Sequence, residues 1–137
     1  MNARLPDMMV IFDYIFYRIA KRFYKKDGID AERALVILAV IHSLLVATIL
    51  IIPYKLFISY NEFKIPKNIL RIECASIFII CYIFNRYRYK GMYWSFSERW
   101  KDRESYNQYV LNGYLVIVSI FIPFIILAAT LHFLYAK

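Results

Sequence analysis

The chain has 137 residues and a formal net charge of +8; 61% of its residues are apolar, 19% are aromatic and three are glycine. A soluble domain carries roughly 45–50% apolar residues, so this composition points to a bilayer as solvent and away from disordered, collagenous and disulfide-scaffold classes. Thirteen of the eighteen basic residues sit in two blocks, Arg4 to Arg33 and Arg86 to Arg103; they flank apolar runs, as cytoplasmic segments facing anionic headgroups do, and no nucleic-acid partner is expected.

Residues 1–33 read as a cytoplasmic basic segment built on an amphipathic helix from Pro6 to Lys26. At about 100° per residue, Met8, Ile11, Phe12, Ile15, Phe16, Ile19 and Phe23 share one arc, and Tyr14, Tyr17, Arg18, Lys21 and Lys25 the opposite one. This is the pattern of an interfacial helix, although a helix packed on protein carries the same stripe. Asp13 and Arg18 interrupt the apolar run and no small-residue cleavage site follows, so it does not read as a secretory signal. Gly28 ends the helix.

Residues 34–52 contain no formal charge, and thirteen of the nineteen are Leu, Ile or Val. They supply about −4 to −8 kcal/mol of insertion free energy, which makes this the first span, with Pro53 marking its end. The second, 69–85, is shorter in effect because Arg71 and Glu73 occupy its first turn. Its nine Ile, Leu and Phe residues give about −3 to −5 kcal/mol, and Arg71 reaches the interface by snorkelling. If 69–85 crosses, thirteen basic residues lie inside and five outside; if it does not, the charge is split almost evenly. The positive-inside rule therefore favours three spans.

Residues 86–113 form a basic aromatic cytoplasmic segment. Ser95-x-x-Glu98 fits a capping box, which predicts a helix starting near Phe96 and running toward the last span. Residues 114–135 make that third span, with a bend expected at Pro123. The expected architecture is an all-α integral membrane protein: an N-terminal interfacial amphipathic helix and a three-helix transmembrane domain over 34–137. Its N-terminus would be cytoplasmic and its C-terminus outside.

Within the membrane, helices associate through small residues and polar side chains. Ala39, Ser43 and Ala47 are spaced four apart and predict a packing seam, within the monomer or between copies. His42, Arg71, Glu73 and His132 are the intramembrane polar candidates, each weighed against a neutral or interfacial structural role. Arg18, Lys21, Lys25, Arg86, Arg88, Lys90, Trp94, Arg99 and Trp100 are expected to contact lipid headgroups. Cys74 and Cys81 share a helix face, too far apart to bridge, and read as buried thiols. No nucleophile elbow, phosphate loop, zinc spacing or dinucleotide fingerprint occurs, so no catalytic, cofactor or metal site is expected.

The opening Phe12-Asp13-Tyr14-Ile15-Phe16-Tyr17-Arg18, together with Glu98-Arg99-Trp100-Lys101 ahead of a last span that begins at Gly113, resembles a group of small bacterial multi-spanning membrane proteins. The resemblance implies a bacterial inner-membrane setting and brings no activity. The expected function is a non-enzymatic scaffold or accessory subunit, whose partners are anionic lipids and another membrane protein or a second copy. An oligomeric pore, suggested by His42, Ser43 and Thr48, and a lipid-headgroup binder or modifying enzyme are the alternatives.

Overall fold

The computed structural model describes residues 8–61, 67–101 and 105–135. Among the described residues the chain is all α, without strands: α1 Met8–Asp27, a 3-10 turn Gly28–Asp30, α2 Glu32–Asn61, α3 Lys67–Tyr89, α4 Tyr93–Trp100 and α5 Tyr106–Tyr135.

Left-handed residues make the corner between α1 and α2. Gly28 takes φ +59° and Ala31 φ +48°, the first without steric cost because it has no Cβ. The Asp27 carboxylate accepts the Arg33 backbone N–H at 2.9 Å and pairs with the Arg33 guanidinium at 3.4 Å. It thereby caps α2 from the preceding helix, satisfying one of the donors that a helix start leaves open. The corner folds α1 back along α2, so that Phe12 meets His42 edge-on at 4.4 Å. Five residues, 62–66, lie between α2 and α3 in the sequence. The first turn of α2 also lies beside the last turns of α3, where Arg86 reaches Glu32 at 3.1 Å; the two helices therefore run in opposite directions.

Burial is concentrated at one end. Phe16, Tyr17, Leu35, Leu38 and Tyr89 are all within 2% of full burial, and α4 closes over them with Tyr93 and Phe96. An aromatic cluster fills the space: Phe16 stacks on Tyr89 at 4.8 Å, Tyr24 on Tyr93 at 4.7 Å, and Trp100 contacts Tyr14, Tyr17 and Phe96. Away from this head the helices expose apolar side chains, among them Ile49 and Leu50 of α2, Ile79, Ile80 and Ile83 of α3, and much of α5. Two helices are long and apolar enough to cross a membrane, Glu32–Pro53 and Tyr106–Phe133.

Several expectations are corrected. The first concerns the faces of α1: Tyr17, placed on the polar arc, is 1% exposed, whereas Ile11, placed on the apolar arc, is 53% exposed. Helices α2, α4 and α5 all contact α1, so its burial follows several protein neighbours and not a single lipid plane. Next, the candidate span Glu32–Pro53 stops at Pro53 as expected, but the helix does not: Pro53 lies inside α2, which runs on to Asn61. A proline removes one ladder bond, and surroundings that supply no competing partner favour continuation. Helix α4 starts at Tyr93, three residues before Phe96, but ends at Trp100 and does not run on into the last helix. Gly91, at φ +76°, turns the chain after α3, and the Met92 carbonyl accepts the Phe96 N–H at 3.1 Å, which sets the start upstream of Ser95. The last helix begins at Tyr106, eight residues before Tyr114. Its cap is reciprocal: the Ser105 hydroxyl accepts the Gln108 N–H at 3.4 Å and the Gln108 side chain accepts the Ser105 N–H at 3.1 Å, a capping box. Finally, Cys74 is exposed and only Cys81 is buried, because α3 is exposed along 71–76 and enters the packed end later.

Candidate functional site: a polar clamp and two grooves around α1

Among the described residues two ion pairs have a nearly inaccessible acid, Asp27 with Arg33 at the α1–α2 corner and Asp13 with Arg88, and the second joins helices distant in the chain. Arg88 Nη2 donates to Asp13 Oδ1 at 3.0 Å, and the side chains are 32% and 9% exposed. The hydrogen bond to Asp13 raises the Arg88 pKa further above its ordinary range. Tyr89, next along the chain, has its phenol pushed up to about 12, chiefly by burial; burial pushes the Tyr93 phenol up as well. One turn before Arg88, Asn85 is fully buried and its Oδ1 lies 3.0 Å from His42 Nδ1. Asp13, His42, Asn85 and Arg88 thus tie α1, α2 and α3 into one polar clamp. Outside it, Glu32 accepts from the Tyr82 hydroxyl at 2.8 Å and from Arg86, which also donates to Tyr82 at 3.0 Å.

A second contact joins α1 to α5. Arg18 Nη2 donates to the Tyr109 carbonyl at 2.9 Å, and the guanidinium carbon lies 3.7 Å from the centroid of the Tyr109 ring. Gly113 permits this approach, since a Cβ there would stand 2.7 Å from Arg18 Nη2. Lys21 shares the ring from 5.0 Å, so two cations converge on one aromatic ring.

Open grooves flank this contact. The larger, about 720 Å³, is lined by the cations Arg18, Lys21 and Arg22 and by apolar residues that include Ile37, Ile117 and Ile120. The smaller, about 470 Å³, is lined by Val10, Ile11, Ile15, Trp100, Leu115 and Ser119 among others and has no charged side chain. Both volumes fall in the range of roughly 300–1,000 Å³ typical of small-molecule sites.

The residues singled out in the sequence are distributed as follows. Ala39 is fully buried within the single chain, while Ser43 and Ala47 are half-buried. The Ser43 hydroxyl donates to the Val40 carbonyl at 2.9 Å and Thr48 to Leu44 at 2.8 Å, so both hydroxyls turn onto their own helix. Arg71 and Glu73 are exposed on α3, and His132 is exposed near the end of α5. Lys21, Lys25, Arg86, Lys90, Trp94 and Arg99 are exposed, with Lys90 4.0 Å from Asp30 and Arg99 over the Trp100 ring at 5.2 Å. Arg18 and Arg88 are drawn into protein contacts, and Trp100 into the aromatic cluster.

Three features were not anticipated: the role of Asp13, the approach of Arg18 over Gly113, and an outward row on α5. Leu111, Leu115, Val118, Ile122 and Ile125 follow a four-three-four-three spacing and are 43–65% exposed. That spacing is a heptad seam, readable from the sequence. The chain matches no family model, no curated protein and no solved structure.

Proposed function

We propose that the chain is a small integral membrane scaffold or accessory subunit without catalytic activity, sited in a bacterial inner membrane and crossing it three times. The observation that carries this reading is the row Leu111, Leu115, Val118, Ile122 and Ile125, a helical seam 43–65% exposed among the described residues, of which Leu115 also borders the smaller groove. Helix association in lipid depends on such packing, since lipid tails are as apolar as the side chains themselves. The two candidate spans have 22 and 28 residues, about 33 and 42 Å of helix, long enough for a hydrocarbon thickness of about 30 Å, and the 23 residues of α3, about 34 Å, would reach across it as well. The basic aromatic head then lies on the cytoplasmic side, holding anionic headgroups with Lys21, Lys25, Lys90 and Arg99, while the end of α5 lies outside.

Single-cysteine crosslinking in native membranes tests this reading, with Cys74 and Cys81 replaced by serine. Val118→Cys and Ile122→Cys are expected to form an adduct with a second copy or a partner subunit, and the inward Val116→Cys is not. A chain that stays embedded yet yields no adduct from either outward position contradicts the scaffold. Collapse of the membrane potential on expression would support the pore instead.

A further inference from the structure

We infer that the larger groove beside α1 is a binding site for one anionic phospholipid, its phosphate held by Lys21 and Arg22 above Arg18 and an acyl chain laid against Ile37, Ile117 and Ile120. The inference rests on the membrane reading above and names the ligand of one particular surface.

Charge complementarity selects the occupant. Arg18 and Lys21 meet the groove at Tyr109, Arg22 is the third cation in its lining, and among the described residues no acidic side chain lines any part of it. Arg22 and Lys21 are exposed, so their donors remain available to a phosphate after Arg18 has bonded the Tyr109 carbonyl. Arginine and lysine at a bilayer surface attract anionic headgroups by about 1 kcal/mol each, and here the fold gathers three of them at one place.

The polarity of the groove follows the axis of α5. Tyr109 lies at the cationic end and Ile120 eleven residues further along, about 16 Å at 1.5 Å per residue. A ligand filling it must be anionic at one end and apolar over the length of an acyl chain, which a soluble phosphate ester is not. The neighbouring groove supplies an internal comparison, being similarly apolar and built on the same α1–α5 contact but without a charged residue.

The test uses the full chain in phosphatidylcholine vesicles doped with phosphatidylglycerol carrying a photoreactive acyl chain, and in parallel with phosphatidylcholine carrying the same group. The anionic probe is expected to label the peptide containing Ile117 and Ile120, and the zwitterionic probe is not. Lys21→Gln with Arg22→Gln should lower that labelling about thirtyfold, the scale of two lost headgroup cations. Ile117→Trp, which fills the groove, should abolish it, whereas Leu115→Trp in the uncharged groove should leave it unchanged. Equal labelling by both probes, or labelling indifferent to the Lys21/Arg22 pair, overturns the site while leaving the scaffold standing. Release of the chain from membranes by alkaline carbonate overturns both.

Discussion

Asp13 and Arg88 lie 75 residues apart in the chain and form a 3.0 Å charge-assisted hydrogen bond in which the carboxylate is almost closed to solvent. That pair fixes where α1 sits, because it joins the helix to the end of α3 just beyond the His42–Asn85 contact. Charges taken out of water are costly unless paired, so once Asp13 faces inward its partner is obligatory.

Removing the acid should therefore cost more than removing a surface charge. Asp13→Leu leaves Arg88 without its partner and is expected to destabilise the fold by about 2–4 kcal/mol, somewhat eased by the partial exposure of Arg88. Asp13→Leu combined with Arg88→Met should recover most of the loss. Thermal denaturation in mild detergent measures both, and a double variant no better than the single one would contradict the assignment.

Gly113 makes an opposite prediction in two backgrounds. Alanine favours a helix interior over glycine by about 1 kcal/mol, but its Cβ would displace Arg18 from the Tyr109 carbonyl. In the wild-type background these effects should nearly cancel. In an Arg18→Ala background Gly113→Ala should stabilise by about 0.5–1 kcal/mol. The same increment in both backgrounds would show that Arg18 does not depend on the missing side chain.

The start of α5 depends on the reciprocal bonds of Ser105 and Gln108. Ser105→Ala should cost about 0.5–1 kcal/mol and accelerate amide exchange in the first turn, from Tyr106 to Tyr109. Ser95→Ala, in the alternative box, should change little. Protection that responds to Ser95 and not to Ser105 would move the cap back to α4.

Alkaline stability should carry the mark of Tyr89. The unfolded chain releases this phenolic proton near its ordinary value of about 10, while the folded chain holds it to about 12. The stabilisation from keeping the buried phenol neutral is therefore intact below about pH 10 and is lost as pH rises toward 12. Tyr89→Phe should show a shallower loss over that window than the wild type. Parallel curves would mean that Tyr89 titrates as an exposed phenol.

The apolar runs, the stop at Gly28 and the helical character of 69–85 were legible because each rests on local composition or on one residue's backbone freedom. The capping signal of α5 was equally local, yet Ser95-x-x-Glu98 offered a second match nearby, and the turn at Gly91 decided between them. The burial of Tyr17 and Asp13 was not legible. A helical wheel assumes one apolar neighbour, whereas α1 has several, and nothing local in Phe12-Asp13-Tyr14 points to Arg88. The outward row of α5 was present in its spacing but hidden in a segment that is apolar all round, where only the packed chain distinguishes a free face from a covered one.

In the proposed topology α2, α3 and α5 cross the bilayer beneath a cytoplasmic head. The decisive measurement labels Trp94→Cys and Phe133→Cys with an impermeant maleimide in intact cells, in a background where Cys74 and Cys81 are serine. Labelling of Phe133→Cys before lysis and of Trp94→Cys only after it is the predicted result; labelling of both from the same side of the membrane would contradict it.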